Sequence, residues 1–290
     1  MLACISRLPL RLVHWVGGAL GWLVFALSPS YRRRLRENAA RAGIEPARWR
    51  QAVTQTGCMA AEVPWLWFRD PSRPLAPLLT WDGDALIERA LARGRGLLLC
   101  TPHIGNFEMA ARAYAERFGA RQPITVLYRP ARQSWLARLQ STSREHPGMN
   151  AAPATLAGVR QLIRALRKGE SVGLLPDQVP PESQGVWVPF FGAPAYTMTL
   201  AARLAQQTEA AVLFALCERR PRGAGFAIHL RAMGEAMPLL RDDPTGALGA
   251  SAISRELEAL IRECPEQYLW GYNRHKNPRA AARSAEGGPV

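Results

Sequence analysis

Gly96-Leu-Leu-Leu-Cys-Thr-Pro-His-Ile-Gly-Asn-Phe-Glu108 is the stretch that most strongly predicts the fold of this chain. Its first six residues form a short apolar run, which is typical of a buried strand. Gly105 permits unusual backbone angles, and Asn106 is a good N-cap for a following helix. The stretch therefore predicts a strand, a tight turn and the start of a helix, which together form the repeating unit of an α/β domain.

Two side chains able to do chemistry, His103 and Glu108, lie five residues apart in this stretch. On an uninterrupted helix five residues turn through about 500°, so the two side chains would diverge. They can converge only if His103 lies in the turn and Glu108 in the first helical turn, where the helix dipole favours a charged carboxylate. A carboxylate that holds an imidazole in one tautomer makes a general base able to deprotonate a hydroxyl. Because this spacing is common by chance, a helix-capping turn with ordinary polar residues is the competing interpretation.

The rest of the chain alternates strand and helix patterns. After two helices at 31–43 and 46–70 and a linker rich in proline, the predicted strands are 96–101, 124–128, 171–175, 210–217 and 225–231, and the predicted helices are 83–93, 106–118, 132–144, 155–168, 197–207 and 244–263. This alternation predicts a layered α/β fold with a mostly parallel central sheet flanked by helices. We expect one such domain over residues 31–278, with a helical N-terminal part, and a disordered tail at 279–290.

Three polar residues, His103, Arg129 and Asp177, each follow a predicted strand. In an open α/β sheet, ligands and chemistry gather beyond the carboxyl ends of the strands. The sequence therefore predicts that these three residues share one edge of the sheet. The alternative for each is an ordinary loop residue.

The N-terminal stretch Leu12–Leu27 has no charged residue, and arginines lie on both sides of it. It is a little shorter than the ~20 residues needed to span a bilayer core. A spanning or half-inserted anchor, a signal peptide and a buried helix are the three interpretations. Arginines at positions 32, 33, 34 and 36 resist translocation and so disfavour a signal peptide. We expect a membrane-anchor helix over residues 1–30, with those arginines against anionic lipid on the cytoplasmic side.

The composition is strongly basic, with 37 Lys and Arg against 23 Asp and Glu and a net charge of +14 over 290 residues. Nearly all of the positive charge is arginine, which suits phosphate, carboxylate or anionic lipid because guanidinium binds such groups through two hydrogen bonds. No nucleic-acid-binding motif is present, so nucleic acid is not an expected partner. The five cysteines are scattered, which argues against a disulfide framework or a zinc site and fits a reducing compartment. Cys100 lies in an apolar strand, where packing is its expected role.

Five motifs in order carry a family resemblance. They are His103-x4-Glu108, Tyr128-Arg-Pro130, Leu174-Leu-Pro-Asp-Gln178, Val188-Pro-Phe-Phe-Gly192 and Pro265-Glu-Gln-Tyr-Leu-Trp270. From about residue 5 to 278 the chain resembles the late (lauroyl/myristoyl) acyltransferases of lipid A biosynthesis, within the wider H-x4-D/E glycerolipid acyltransferase superfamily. The resemblance implies acyl transfer from an acyl carrier protein thioester to a hydroxyl of a lipid A precursor, at the cytoplasmic face of the inner membrane.

The resemblance also implies roles for individual residues. His103 resembles the catalytic base and Glu108 its orienting partner, while Arg144 matches an arginine tied to substrate or oxyanion binding and Asp177 a further acid of the site. Backbone amides around Gly105 and Asn106 are other candidates to bind the oxyanion. Arg129 and Arg132 are candidates to hold phosphates, and the candidates for an acyl groove are Phe107, Phe190, Phe191 and Met198.

No cofactor or metal is expected beyond the acyl thioester, carried by acyl carrier protein or by coenzyme A as co-substrate. Asn273 stands where many members carry a second arginine, which puts the acceptor in doubt more than the reaction. A lysophospholipid or an amino-acid lipid is the alternative acceptor. A metal-dependent hydrolase using His103, Glu108 and Asp177, and a non-catalytic membrane-binding protein, are the other classes that the residues allow.

Overall fold

The computed structural model describes residues 5–70, 72–131, 133 and 146–279. Its helices are α1 (Leu10–Leu27), α2 (Pro29–Arg41), α3 (Pro46–Trp67), α4 (Ala85–Ala92), α5 (Phe107–Phe118), α6 (Leu156–Arg167), α7 (Leu200–Thr208) and α8 (Ala247–Glu263). Its strands are β1 (Leu79–Asp82), β2 (Leu97–Cys100), β3 (Ile124–Tyr128), β4 (Met149–Pro153), β5 (Ser171–Leu174), β6 (Gly185–Phe190), β7 (Ala193–Met198), β8 (Ala211–Arg219) and β9 (Phe226–Ala232).

Seven strands form one central sheet in the order β1-β9-β8-β2-β5-β3-β4. Its neighbouring strands run parallel except β8 and β9, which are antiparallel. Strands β6 and β7 form a separate antiparallel hairpin. The predicted α/β fold with a mostly parallel sheet is therefore confirmed.

Helices cover both faces of the central strands. Along β2 the side chains of Leu97 and Leu99 pack into one apolar cluster, with α4 and α5, while Leu98 and Cys100 pack into the other, with α6, α7 and α8. Because successive residues of a strand point to opposite faces, a strand covered on both sides needs an unbroken apolar run. This double burial explains why the run Leu97–Cys100 is apolar at every position.

The predicted elements differ from the observed ones in a few places. The strand predictions at 96–101, 124–128, 171–175, 210–217 and 225–231 agree with β2, β3, β5, β8 and β9 to within two residues. The prediction of helix from residue 197 is wrong, because residues 197 and 198 end β7. The hairpin itself went unpredicted, since Pro189 and Pro194 face each other in it and proline argues against a strand. The predicted helix at 132–144 and nearly all of the predicted tail lie outside the described residues.

Helix α1 packs along α3 through a seam of glycines. A side chain at Gly57 would place its Cβ 2.0 Å from the carbonyl oxygen of Gly17, and one at Gly21 would lie 2.4 Å from that of Val53. Only glycine lets the two backbones approach this closely. The Trp22 indole also donates a hydrogen bond of 2.9 Å to the Thr54 hydroxyl. Helix α1 is therefore attached to the α/β domain along its length.

The opposite face of α1 is apolar and exposed. It carries Leu12, Trp15, Val16, Leu20, Leu23 and Leu27. Exposed arginines lie beyond each end of the helix, Arg7 on one side and Arg33, Arg34 and Arg36 on the other. By length and composition alone, α1 is sufficient to cross a membrane.

We predict that Gly57→Ala destabilises the protein by about 1–3 kcal/mol through overpacking of the seam. A loss of stability would be informative, because alanine in a helix interior is otherwise more stabilising than glycine by about 1 kcal/mol. Thermal or denaturant unfolding in detergent measures the change. Ala60→Leu is the matched control, since Ala60 lies on the exposed side of the same helix. Equal stability of Gly57→Ala and the wild type would contradict the close contact between α1 and α3.

Candidate active site

The turn between β2 and α5 has the local structure that the sequence predicts. Gly105 has a φ of +56°, and a Cβ at this position would lie 2.0 Å from the carbonyl oxygen of Cys217. Asn106 is the N-cap of α5, and its Oδ1 accepts a hydrogen bond of 2.9 Å from the amide of Met109. These two residues fix the path by which the chain leaves the sheet at His103 and enters the helix at Phe107.

His103 forms hydrogen bonds with the carboxylate of Asp177. The ring Nδ1 of His103 lies 2.7 Å from Asp177 Oδ1, and the backbone amide of His103 donates to Asp177 Oδ2 at 2.9 Å. The Tyr268 hydroxyl also donates to Oδ2, at 3.2 Å. The carboxylate therefore holds the histidine by both its ring and its backbone.

The two nitrogens of the His103 ring have different roles. A carboxylate can only accept, so the 2.7 Å contact with Asp177 places the ring proton on Nδ1. Nε2 then carries the lone pair, and it lies 3.0 Å from the side-chain amide nitrogen of Gln178, which donates to it. The Phe107 ring packs beside the imidazole, with a centroid distance of 4.8 Å. The arrangement leaves Nε2 as the basic nitrogen of the ring.

Asp177 is ionised although it is only 2% exposed. Burial opposes its ionisation, but the electrostatic attraction and the two hydrogen bonds of the neighbouring His103, together with the charge of Arg274, hold the pKa of Asp177 below its ordinary value. A buried anion beside the imidazole stabilises the imidazolium that forms when Nε2 takes up a proton. The pair is thus suited to general base catalysis.

Glu108 lies in the first turn of α5, where the sequence places it. In the described part of the structure, the hydrogen-bond partners of the His103 ring are Asp177 and Gln178. The geometry therefore gives the orienting position to Asp177, 74 residues away in sequence, rather than to Glu108. A role for Glu108 in catalysis stays a prediction.

The carboxyl edge of the sheet collects the residues that were expected there. Strand β5 lies between β2 and β3, so the ends of these strands, followed by Asp177, His103 and Arg129, are adjacent. His103 and Asp177 are in contact, and Arg129 is exposed immediately after β3. Arg132 and Arg144 lie outside the described residues, so their predicted contacts with phosphate and oxyanion stay predictions.

The four candidates for an acyl groove occupy different environments. Phe107 contacts the His103 ring. Phe190 and Phe191 are buried in the core, where the guanidinium groups of Arg274 and Arg262 lie over their respective rings. Met198 is half-buried at the end of β7. Phe107 is thus the candidate that touches the turn between β2 and α5, and an acyl groove built from the other three stays a prediction.

Cys100 is buried completely, and this burial raises the pKa of its thiol to about 12. It is therefore a neutral thiol near pH 7, in agreement with a packing role. Among the residues that the structure describes, no group of three or more His, Cys, Asp or Glu side chains is placed to hold a metal ion.

A buried ion pair that the sequence did not predict lies behind the turn between β2 and α5. Arg219, at the end of β8, forms two hydrogen bonds of 2.5 Å with the carboxylate of Glu62 in α3. Arg219 also donates to the carbonyl oxygen of Gly105 at 3.3 Å, and Glu62 accepts from the Asn106 side chain at 3.1 Å. The sequence contains two signals of this pair: Glu62 lies in an apolar part of a helix, and Arg219 ends a buried strand. Neither signal identifies the residue with which it pairs.

The contacts of Gln178 and Tyr268 with the site were also missed, although both residues belong to motifs that were recognised. Gln178 directly follows the acid of the Leu174–Gln178 motif. Tyr268 lies far along the chain, where an isolated bridge pairs it with Ile104 of the turn between β2 and α5. Because Gln178 is next to Asp177 in sequence, its place in the site could be predicted. No residue near Tyr268 in sequence indicates its hydrogen bond with Asp177.

Comparison with known proteins agrees with the family resemblance that the motifs carry. Residues 1–277 match the family described as bacterial lipid A biosynthesis acyltransferase. The chain is 30% identical over 221 residues to the lipid A biosynthesis lauroyltransferase of Escherichia coli (strain K12), covering 76% of this chain and 68% of that protein. It is 25% identical over 285 residues to the lipid A biosynthesis palmitoleoyltransferase of the same strain, covering 93% and 87%.

A shorter match connects the chain to a protein with a different named acceptor. Over 147 residues it is 32% identical to the phosphatidylinositol mannoside acyltransferase of Mycobacterium tuberculosis (strain CDC 1551 / Oshkosh), covering 49% of this chain and 45% of that protein. The first comparison spans nearly the whole chain and confirms the resemblance drawn from the five motifs. This chain is therefore an acyltransferase and belongs to the bacterial lipid A biosynthesis acyltransferase family.

Proposed function

We propose that this enzyme moves a fatty acyl chain from an acyl carrier protein thioester to a hydroxyl of a lipid A precursor at the cytoplasmic face of the inner membrane. The observation that carries the proposal is the His103 ring. Its Nδ1 is fixed by a buried carboxylate and its Nε2 is held by a single amide donor. Such a ring is prepared to take a proton from a hydroxyl that replaces Gln178 at Nε2.

The reaction proceeds by direct transfer between donor and acceptor. Nε2 of His103 removes the proton of the acceptor hydroxyl as the oxygen attacks the thioester carbonyl carbon. The carbon–oxygen bond forms, the carbonyl becomes an oxyanion, and its collapse breaks the carbon–sulfur bond. The imidazolium, stabilised by Asp177, then returns the proton to the departing thiolate.

The oxyanion needs donors placed before the reaction, each typically worth about 2.7–4 kcal/mol. Arg144 is the side-chain candidate that the family resemblance gives, and the backbone amides near the turn are the alternative. The amides of Gly105 and Asn106 already donate, to Gln267 and Cys217 respectively, so they are less suited to this task. Arg129 is exposed at the same edge and is suited to a phosphate of the acceptor or of the donor's prosthetic group.

The net charge of +14 favours a donor carried by an acidic protein, because opposite charges steer the encounter. Coenzyme A as carrier is the alternative, and it brings phosphates rather than an acidic surface. The dependence of the transfer rate on ionic strength separates the two carriers. A rate with acyl carrier protein that does not change with salt would argue against steering.

A second candidate acceptor follows from two observations. The match to the mannoside acyltransferase covers about half of this chain, and the family resemblance implies an arginine at the position of Asn273. An acceptor with a different headgroup, such as a lysophospholipid, an amino-acid lipid or a glycolipid, would use the same His103 chemistry. The acceptor is therefore the first point to test.

We further propose that α1 lies along the membrane surface rather than crossing it. The seam with α3 holds α1 against the domain, and Arg50 and Gln51 of α3 are exposed. A spanning α1 would either break the seam or carry these polar residues into hydrocarbon. Lying flat, its exposed leucines and Trp15 enter the bilayer while the arginines at its ends contact anionic headgroups. This placement brings a lipid acceptor close to the turn at residues 101–106, which carries His103 and is the catalytic turn of this proposal.

The acceptor is tested with purified enzyme, acyl carrier protein thioesters and a panel of lipid acceptors. Transfer to a lipid A precursor, together with loss of one acyl chain from lipid A in a deletion strain, is the expected result. Mass spectrometry of the lipids measures both outcomes. An unchanged lipid A with altered phospholipid or glycolipid acylation would replace the primary proposal with the second.

We predict that His103→Gln and Asp177→Asn each lower kcat by about 10²–10⁴-fold, because the first removes the base and the second removes the anion that orients and stabilises it. Glu108→Gln is the matched test of the other carboxylate, and we expect it to lower transfer as well. The low-field ring N–H resonance of His103 shows which of the two carboxylates, Asp177 or Glu108, holds the ring. It is lost in Asp177→Asn and kept in Glu108→Gln, and the reverse pattern would give the orienting role to Glu108.

We predict that the double variant Trp15→Ser, Leu23→Ser binds vesicles at least about tenfold more weakly, since each replaced side chain loses on the order of 1.5–3 kcal/mol of apolar burial. Co-sedimentation with vesicles of mixed neutral and anionic lipid measures the partition coefficient. Leu248→Ser is the control, because Leu248 is exposed on α8. Equal binding of the double variant and the wild type would remove α1 from the membrane contact.

A further inference from the structure

Glu62 is a buried carboxylate whose hydrogen-bonding capacity is filled. It is 0% exposed, and each of its oxygens accepts two hydrogen bonds. Oε1 accepts from the Arg219 Nε at 2.5 Å and from the His14 Nε2 at 2.6 Å. Oε2 accepts from the Arg219 Nη2 at 2.5 Å and from the Asn106 Nδ2 at 3.1 Å.

The donors to Glu62 come from three separate parts of the fold. His14 belongs to α1, Arg219 ends β8, and Asn106 is the N-cap of α5 beside His103. One carboxylate therefore joins the membrane-facing helix to the catalytic turn. The neighbouring side chain Trp15 is 73% exposed, whereas the His14 side chain is 12% exposed and points into the domain.

We infer that His14 is a positioning residue, which transmits the seating of α1 on α3 to the catalytic turn through Glu62 and Asn106. This inference rests on the proposed function, because the position of His103 matters only if His103 acts as the base. It gives α1 a part in catalysis that is separate from attachment to a membrane.

The physical argument begins with the amide of Asn106. Its Oδ1 is held by the amide of Met109 and its Nδ2 by Glu62, so the carboxylate fixes the rotation of the side chain that caps α5. The Glu62 carboxylate is in turn oriented by donors on both oxygens. Removing His14 leaves Arg219 as the one remaining donor to Oε1 among the described residues, so the plane of the carboxylate is less constrained and its hydrogen bond to Asn106 weakens.

The pairing with Arg219 alone would satisfy the charge of Glu62, so the histidine needs a separate explanation. Every other residue of the stretch Leu12–Leu27 is apolar or glycine. A polar residue such as His14 on the packed face of this helix lowers stability unless it has a hydrogen-bond partner. Its specific partner is the carboxylate that also holds the catalytic turn. This coincidence favours a role in the site over a role in the packing of the two helices.

His14→Leu removes the donor while keeping an apolar side chain of similar size in the seam. His14→Gln restores a donor at nearly the same position, since its amide nitrogen mimics Nε2. Thr54→Val is the matched control, because it removes the Trp22–Thr54 hydrogen bond between the same two helices and leaves Glu62 untouched. If His14→Leu does not accumulate, His14→Asn takes its place, because its shorter side chain does not reach Glu62.

The experiment measures kcat and KM with detergent-dispersed substrate, the unfolding temperature, and the ring resonances of His103 in protein labelled with 15N-histidine. We expect His14→Leu to lower kcat at least about tenfold, since a misplacement of 1 Å costs roughly 10²-fold. KM stays within about twofold of the wild-type value, because the substrate contacts are unchanged. The His103 ring resonances shift in His14→Leu, return in His14→Gln and stay unchanged in Thr54→Val.

Wild-type kcat and unshifted His103 resonances in His14→Leu would overturn the inference, as would equal effects of Thr54→Val and His14→Leu. Failure of His14→Gln to restore the resonances would reduce His14 to a packing residue. If the wild type itself transfers no acyl chain to any lipid, the proposed function fails. The His103 resonances then decide alone whether His14 sets the position of the turn.

Discussion

The carboxylate of Glu62 has no contact with solvent, and an unpaired charge in such a place would cost several kcal/mol. Arg219 neutralises it, and His14 and Asn106 complete its hydrogen bonds. Removing one partner of a buried ion pair typically costs about 3–5 kcal/mol, so α3, β8 and the catalytic turn are constrained together. The position of His103 therefore depends on residues from three other parts of the fold.

The sequence predicts the central strands well because burial on both faces leaves an unmistakable pattern. The strand Leu97–Cys100 is apolar at every position, the strand Ser171–Leu174 is buried at every position with one polar residue, Ser171, and each is followed by a turn signal. The same pattern does not predict the β6–β7 hairpin, because its two facing prolines and the exposed Trp187 are typical of a loop. Strand β1 contains four residues and alternates in burial, which is too short a pattern to recognise beside a proline-rich linker.

Within the site, the sequence predicts the local backbone structure, but it does not predict which distant side chains form hydrogen bonds with each other. The turn at Gly105, the cap at Asn106 and the placement of Asp177 at the edge shared with His103 all follow from sequence. The choice between Glu108 and Asp177 as the orienting carboxylate does not, because it depends on β5 lying beside β2. The partners Glu62 and Arg219 are 157 residues apart, and only the folded chain brings them together.

The glycine seam between α1 and α3 changes how a soluble form of this enzyme would be made. Cutting off the N-terminal helix would uncover the surface of α3 at Gly57, against which Gly17 and Gly21 pack, and leave the Glu62 carboxylate without its histidine. The truncated protein would lose packing and a hydrogen bond at the same time. Redesign of the exposed apolar face of α1, with every glycine of the seam retained, keeps the packing of α1 on α3 and the hydrogen bonds of Glu62.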